Sequence, residues 1–328
     1  MPLNEGFSRF EIVVIGHLTI DQIEYNGQTR YAMGGPPAYA MVAPALGMKR
    51  IGIISRIGRD FPDEYLQILR DSGLNLDGLL TASTTTLFVN RYDGKGDRIQ
   101  HAEQVAASIT VEDIPSQFWN TAWMHLSPVL KEVDSCIIPE AHRRGVKVSV
   151  DVQGFIRNRV SERDSRIIAQ SWESFSDVAP QIDILKADVN EICQLTQQTA
   201  FDDAAHLVFE AGCPLVLITW GQRGAFLYSE NSLKEIPTIP SYAVVDHTGS
   251  GDVFSISFLF EFQRTGRPLW SAFFAATTAS FNIETPGPTE FPDAEAVTSR
   301  LRRFLSLPGN RKFTDQLLNE PGPTECPL

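Results

Sequence analysis

The sequence predicts an α/β domain, a mostly parallel central sheet with helices packed on both faces. Short β-branched apolar runs recur along the chain, and amphipathic stretches of helical period separate them. The runs are almost continuously apolar, as strands covered on both sides require. The first strand is read at residues 11–16 (EIVVIG). A helix follows at 36–47, with prolines in its first turn and Gly47 as its stop. Residues 51–57 form a second strand and 62–72 a helix ended by Gly73. Further strands are expected at 123–126, 146–152, 182–186 and 215–219, and long apolar helices at 251–264 and 269–282. A last amphipathic helix is read at 293–305.

Two segments break this alternation. Residues 20–32 hold Asn26-Gly27, and residues 86–104 hold Asp93-Gly94, each pair between β-prone flanks, a hairpin signal. Both are too polar for a parallel core. They are either one small accessory sheet forming a lid over a site, with hairpins at about 18–34 and 86–104, or two unrelated surface hairpins. From residue 308 to 328 the chain turns polar and rich in Pro and Gly, which predicts a loose tail after a single domain over 1–307.

A hydrophobic content of 43% with 21% charged residues allows a sizeable core in 328 residues. The formal net charge of −12 argues against a nucleic-acid polymer as partner, because such binding needs a basic footprint. Cys136, Cys193, Cys213 and Cys326 form no CxxC pair, so isolated thiols in a reducing compartment are expected. No apolar run reaches the roughly 20 residues of a bilayer span, and the first ten residues lack a secretory pattern. A cytoplasmic protein is the expectation.

The stretch with chemistry in it is VVDHTGSGDVF, residues 244–254. A strand-like run ends at Asp246, a turn of small residues follows, and Asp252 opens an apolar helix. Glycines let successive N–H groups converge on an anion, and a helix N-terminus adds partial positive charge. A carboxylate beside such a cradle is unfavourable unless it takes a proton from an attacking hydroxyl. Asp252 read alone is also an ordinary helix cap.

This D-x-T-G-x-G-D pattern resembles the second signature of the PfkB, or ribokinase-like, carbohydrate kinases. The likeness covers about residues 11–305. GHLTID at 16–21 resembles the family's first strand and substrate aspartate. Gly34-Gly35 is similar to its di-glycine hinge, and 47–58 followed by Asp60 to its first signature. Lys186 to Glu191 resembles K-x-N-x-x-E, with Asp188 at the Asn position. Thr219, Gly221 and Gly224 resemble the nucleotide turn T-x-G-x-x-G. Short segments at 90–92, 151–155 and 286–288 are most similar to a myo-inositol kinase-like branch. The chain departs from the family at Tyr39, where many members carry Asn, and at His247.

The resemblance implies a ribokinase-like three-layer fold and an ATP- and magnesium-dependent kinase for a sugar or cyclitol hydroxyl, myo-inositol favoured. It implies Asp252 as base and the Gly249, Ser250 and Gly251 amides as the anion hole. Asp21, Gly34, Gly35, Asn90 and Asp151 are then the substrate residues. Lys186, Thr219, Gly221 and Gly224 are nucleotide contacts, Glu191 and Asp188 hold magnesium, and Asp246 and Thr248 hold a monovalent cation such as K+. Apolar lid positions (Ile20, Ile23, Tyr25, Leu87, Val89) suggest a homodimer through the lid.

Other readings remain. A dehydrogenase needs G-x-G-x-x-G after a strand, and neither glycine cluster fits it; Walker, H-E-x-x-H and G-x-S-x-G patterns are absent. Another sugar kinase, a nucleoside kinase, and a catalytically silent binding protein on the same fold stay open.

Overall fold

The computed structural model describes residues 9–25, 27–92 and 98–320. Among these described residues, fifteen strands build two sheets. In chain order they are β1 (Phe10–Ile15), β2 (Thr19–Tyr25), β3 (Gln28–Gly34), β4 (Ile51–Ile57) and β5 (Asn75–Thr81). Then come β6 (Thr86–Tyr92), β7 (Arg98–Gln104), β8 (Thr121–Leu126), β9 (Lys147–Asp151) and β10 (Arg157–Ser161). The last are β11 (Asp164–Ala169), β12 (Ile184–Asp188), β13 (Val216–Thr219), β14 (Ala225–Ser229) and β15 (Ser232–Ile236).

The central sheet has nine strands in the order β15-β14-β13-β12-β9-β8-β1-β4-β5. From β13 to β5 every pairing is parallel; β14 and β15 add an antiparallel edge. Along β1, Ile12 and Val14 join one apolar core while Val13 and Ile15 join the other, so the sheet is buried on both sides. The helices Ser250–Thr265, Pro268–Asn282 and Ala294–Leu305 cover the first face. Helices Ile137–Arg143, Val189–Thr196 and Phe201–Glu210 cover the second. The three-layer expectation holds.

The two foreseen hairpins, β2-β3 and β6-β7, do share one sheet. It has six strands, ordered β10-β11-β7-β6-β2-β3, with a parallel β2-β6 join and a third hairpin, β10-β11, that the sequence reading missed. Asn26 and the Asp93-Gly94 pair lie outside the described residues; Gly27 has φ 74°, as a tight turn asks. Of the apolar lid residues named above, Val89 is 3% exposed and Ile20 packs on the core, whereas Ile23 and Leu87 are half-buried. Apolar side chains that are exposed on this sheet are Tyr31, Ile99, Val160 and Ile168.

One buried imidazole ties the two sheets together. His17, between β1 and β2, meets Thr86 Oγ1 through Nδ1 at 2.8 Å and the Ala107 carbonyl through Nε2 at 3.0 Å. Its own N–H donates to Glu132 Oε1 at 3.0 Å, and the next amide, Leu18, donates to Ser55 Oγ at 2.6 Å. Burial pushes the His17 pKa below its usual value, so the ring is neutral, with Nε2–H donating to the carbonyl.

Two expectations need correction. The helix read at 36–47 is two short ones, Pro36–Tyr39 and Val42–Leu46. Pro44 has no N–H for the carbonyl of residue 40, which interrupts the ladder. The loose tail expected from 308 is folded up to residue 320. Residues Arg311–Leu318 form a helix whose Phe313 and Leu317, one turn apart, are buried in the first core. Glu320 then caps the Pro268–Asn282 helix, accepting from Leu269 N and from Trp270 N at 3.0 Å, with Arg267 3.5 Å away. Residues 321–328 lie outside the described part.

Candidate active site

The parallel strands end where they should for a ligand site, at their carboxyl edge. β9 delivers Asp151, β12 delivers Lys186 and Asp188, and β13 delivers Thr219. A cavity of about 680 Å³ opens there, between the central sheet and the accessory sheet. Its wall includes Asp21, Gly35, Asn90, Lys186, Asp188, Glu191, Thr219, Gly221 and Gly224, and the run from His247 to Asp252. Motifs that are far apart in the chain therefore converge on one space.

Gly249 is the N-cap of the Ser250–Thr265 helix, at φ 73°. A side chain is excluded there twice: by the left-handed backbone, and because a Cβ would sit 2.0 Å from the Tyr39 ring. The Ser250 amide is already used, donating to the His247 carbonyl at 3.3 Å. Gly251 and Asp252 occupy the first turn, where N–H groups have no intrahelical acceptor. Their N–H groups are the candidates for an anion cradle, whereas that of Ser250 already has an acceptor. A Cβ on Gly251 would lie 3.1 Å from Lys186 Nζ, which places an ammonium beside the cradle.

Lys186 and Asp151 form a buried pair, Nζ to Oδ2 2.9 Å. Burial alone would lower the lysine pKa; the Asp151 and Glu191 charges outweigh it, and the net shift is upward, so the ammonium persists. Asp151, expected to touch substrate, is not on the cavity wall. It is 2% exposed, holds Lys186 from beneath, and accepts from Gln153 N at 3.1 Å. Burial pushes the Asp252 carboxyl up to about 7; Asp151 and Glu191 add to the rise and Lys186 opposes it. A carboxyl poised near neutrality on a cavity wall is suited to exchange protons.

Asp188 and Glu191 share a capping box at the start of the Val189–Thr196 helix. Asp188 Oδ1 accepts from Glu191 N at 2.8 Å, and Glu191 Oε2 accepts from Asp188 N at 2.7 Å. Arg157, from the unforeseen hairpin, reaches Glu191 Oε1 at 3.3 Å. Burial raises the Glu191 pKa, with Lys186 and Arg157 opposing. Among the described residues no three His, Cys, Asp or Glu side chains are arranged to grip a metal directly. The Asp188 and Glu191 carboxylates on a net-acidic wall do fit magnesium held through its own waters, as outer contacts.

The monovalent-cation expectation at Asp246 and Thr248 does not fit. Asp246 Oδ1 accepts from both Thr248 N (2.9 Å) and Thr248 Oγ1 (2.6 Å), and the Thr248 carbonyl accepts from Asn282 Nδ2 at 3.0 Å. Oδ1 and the Thr248 carbonyl thus already accept hydrogen bonds, while the neighbouring Asn282 Oδ1 has no partner among the described residues.

On the substrate side, Thr19 Oγ1 donates to Asp21 Oδ1 at 2.9 Å, and a Cβ on Gly34 would come within 2.5 Å of Asp21 Oδ2. Gly34 thus makes room for Asp21 rather than lining the cavity; Gly35, at φ 84°, passes against the His17 carbonyl. Asn90 Oδ1 accepts from Gln100 Nε2 at 2.9 Å on the lid side. Thr219 leads into a 3-10 turn closed by Trp220 N to Gly224 O at 2.8 Å, with Gly221 and Gly224 at positive φ.

Sequence reasoning noticed Tyr39 only as a departure. It is 1% exposed, lies under Gly249, and its hydroxyl has no hydrogen-bond partner among the described residues. Burial raises its pKa, and the charges of Asp252, Asp21 and Asp246 raise it further, so it stays a neutral phenol. Arg157 carried no motif signal at all; only the fold brings it to Glu191.

Comparison with known proteins follows the same line. Residues 9–294 match the pfkB family of carbohydrate kinases. A cytidine kinase of Thermococcus kodakarensis is 29% identical over 264 residues, covering 79% of this chain and 90% of that one. A nucleoside kinase of Methanothermobacter thermautotrophicus is 27% identical, covering 88% and 95%. Among solved structures, a pyrophosphate-dependent kinase of the ribokinase family, complexed with a pyrophosphate analogue and myo-inositol, superposes with a TM-score of 0.75. It is 24% identical and covers 88% of this chain and 99% of its own. The fold is ribokinase-like. The chain belongs to the pfkB family of carbohydrate kinases, phosphotransferases that act on a sugar or nucleoside hydroxyl.

Proposed function

We propose that the chain transfers the γ-phosphoryl group of ATP to one hydroxyl of a small polyol in the cytoplasm, with myo-inositol as the first acceptor to test. The observation that carries the reading is Asp252. Its carboxyl, raised to about 7, stands in the first turn of a helix whose glycine cradle adjoins the Lys186 ammonium. Asp252 takes the acceptor hydroxyl's proton as that oxygen forms its bond to phosphorus and the bond to the leaving phosphate breaks. The Gly251 and Asp252 amides hold the charge of the migrating group, and Lys186 adds its own. Asp21 orients the acceptor. Residues around Thr219, Gly221 and Gly224 receive the nucleotide. Magnesium, when bound through Asp188 and Glu191, supplies charge neutralisation to the donor phosphates.

A nucleoside acceptor is the second reading. It is favoured by the named activities of the two sequence relatives, which span most of this chain. The accessory sheet over the cavity suits either acceptor, because excluding water prevents idle hydrolysis of the donor.

An ADP-release assay against myo-inositol, cytidine, adenosine, ribose and fructose, with the phosphorylated product confirmed by mass, tests the proposal. Turnover on myo-inositol with the highest kcat/KM supports the first reading, and cytidine leading supports the second. Tight binding without ADP release on any acceptor would identify a silent binder instead.

A further inference from the structure

The cradle has a charge problem. Asp246 lies three residues before Gly249, so a carboxylate stands close to amides that must hold an anionic phosphoryl group. A positive partner is needed to offset it. The protein brings one from the other sheet. Arg30, on β3, places its guanidinium 3.6 Å from Asp246 Oδ2, the carboxylate oxygen that Thr248 does not use. Asp246 is largely covered, at 13% exposed, while the Arg30 side chain is 56% exposed and reaches in from the accessory sheet.

A monovalent cation is the other way to supply that charge, and the local oxygens are not arranged for one. Oδ1 carries two donors, the Thr248 hydroxyl points its hydrogen at Oδ1, and the Thr248 carbonyl takes an amide hydrogen from Asn282. A monovalent ion binds where several oxygen lone pairs are open together; here Oδ1 and the Thr248 carbonyl already accept N–H and O–H groups, and Oδ2 faces Arg30.

We infer that Arg30 is a built-in replacement for a monovalent cation at Asp246, so that the chain works without potassium. This rests on the kinase reading above. The two sources of charge differ in one respect. An ion would sit in the core whatever the accessory sheet does, whereas Arg30 brings its charge with that sheet. Charge compensation at the cradle is then tied to closure over the acceptor. Arg30 is a positioning residue in this scheme: it acts through Asp246 and the cradle, not on the reacting atoms.

The test uses the full chain and its Arg30→Ala, Arg30→Gln and Arg30→Lys variants. Each is measured in about 0.1 M KCl and in choline chloride of equal ionic strength, so that simple screening is matched. The first measurement is thermal unfolding, with potassium as the only added ligand. Potassium is expected to leave wild type unchanged relative to choline and to raise the melting temperature of Arg30→Ala and Arg30→Gln, because an ion that binds the native state stabilises it. The second is ADP release with the best acceptor of the panel. Wild type is expected to differ less than about two-fold between the salts, while Arg30→Ala loses about ten-fold in choline and regains most of it in potassium, a scale set by one lost charge contact of roughly 1.4 kcal/mol. Arg30→Lys should remain potassium-independent. Wild type stimulated several-fold by potassium, or alanine and glutamine variants indifferent to the cation in both measurements, would overturn the inference. If no acceptor is turned over, the kinase reading fails, and the unfolding curves still decide the cation question.

Discussion

Asp252 joins proton chemistry to stability. In the proposed role of base it must be ionised, so kcat/KM is expected to fall as pH drops through about 7 rather than through the usual carboxylate range near 4. A pH-rate profile checks this. Asp252→Asn should lower kcat by roughly 10²-fold or more. The same shift has an opposite sign for stability. A carboxyl whose folded pKa is raised loses stability as pH rises through the folded value, because burial penalises the charged form. Asp252→Asn should therefore melt higher than wild type above pH 7, by about 2 °C, and the two should converge near pH 4. Tyr39 offers a second separation. Its hydroxyl is buried without a partner, so Tyr39→Phe is expected to stabilise the protein by about 1 kcal/mol, read by urea unfolding. Destabilisation would show that the hydroxyl has a partner in solution. At this scale the sequence was informative where a glycine or acid belongs to a motif, as with Gly249, Asp252 and Asp21. It was silent on Arg157 and misleading on Asp151, because pairing of Lys186 with Asp151 across 35 positions depends on which strands lie side by side.

Elements whose residues follow a single period were the readable ones. β4 spans the same residues, 51–57, as its β-branched run suggested, and the two long apolar helices were found within a residue or so of their ends. The β10-β11 hairpin was not found, since RNRVS and DSRIIA alternate weakly and lack a glycine turn. The β14-β15 hairpin hides its turn in Glu230 and Asn231, which adopt φ 51° and 56° without glycine. The glycine cradle is the element most sensitive to change. Gly249→Ala must accommodate a left-handed backbone and a methyl group inside the Tyr39 ring. Activity is expected to fall at least about 10²-fold, as when an oxyanion donor is lost, with a lower melting temperature. In Gly249→Ala combined with Tyr39→Ala, the steric part should be relieved while the backbone cost of about 1–2 kcal/mol stays; unfolding midpoints of the two variants measure the difference.

For the whole molecule, the alternation of strand and helix was enough to predict a parallel sheet covered on both faces, whereas the polar hairpins left one accessory sheet and two unrelated hairpins both open. The packed C-terminal segment was not predicted, because its two apolar contacts, Phe313 and Leu317, sit in an otherwise polar stretch. Truncation after Leu307 removes those side chains and the Glu320 cap at the Pro268–Asn282 helix. It is expected to cost several kcal/mol, on the scale of two large core deletions, measured by chemical unfolding. Glu320→Gln replaces one of the two accepting oxygens with an NH2 group and removes the charge beside buried Arg267, so it should reproduce part of that loss. Among the described residues no helix is long and apolar enough to cross a membrane.

The junction at His17 sets a rule for how the molecule can open. Three passages of the chain between the sheets, at residues 17, 86 and 107, are held by the two nitrogens of one ring. Sliding one hairpin past another would break those bonds, whereas tilting the hairpins together would not. The hairpins roofing the cavity are therefore pinned to one another at this ring.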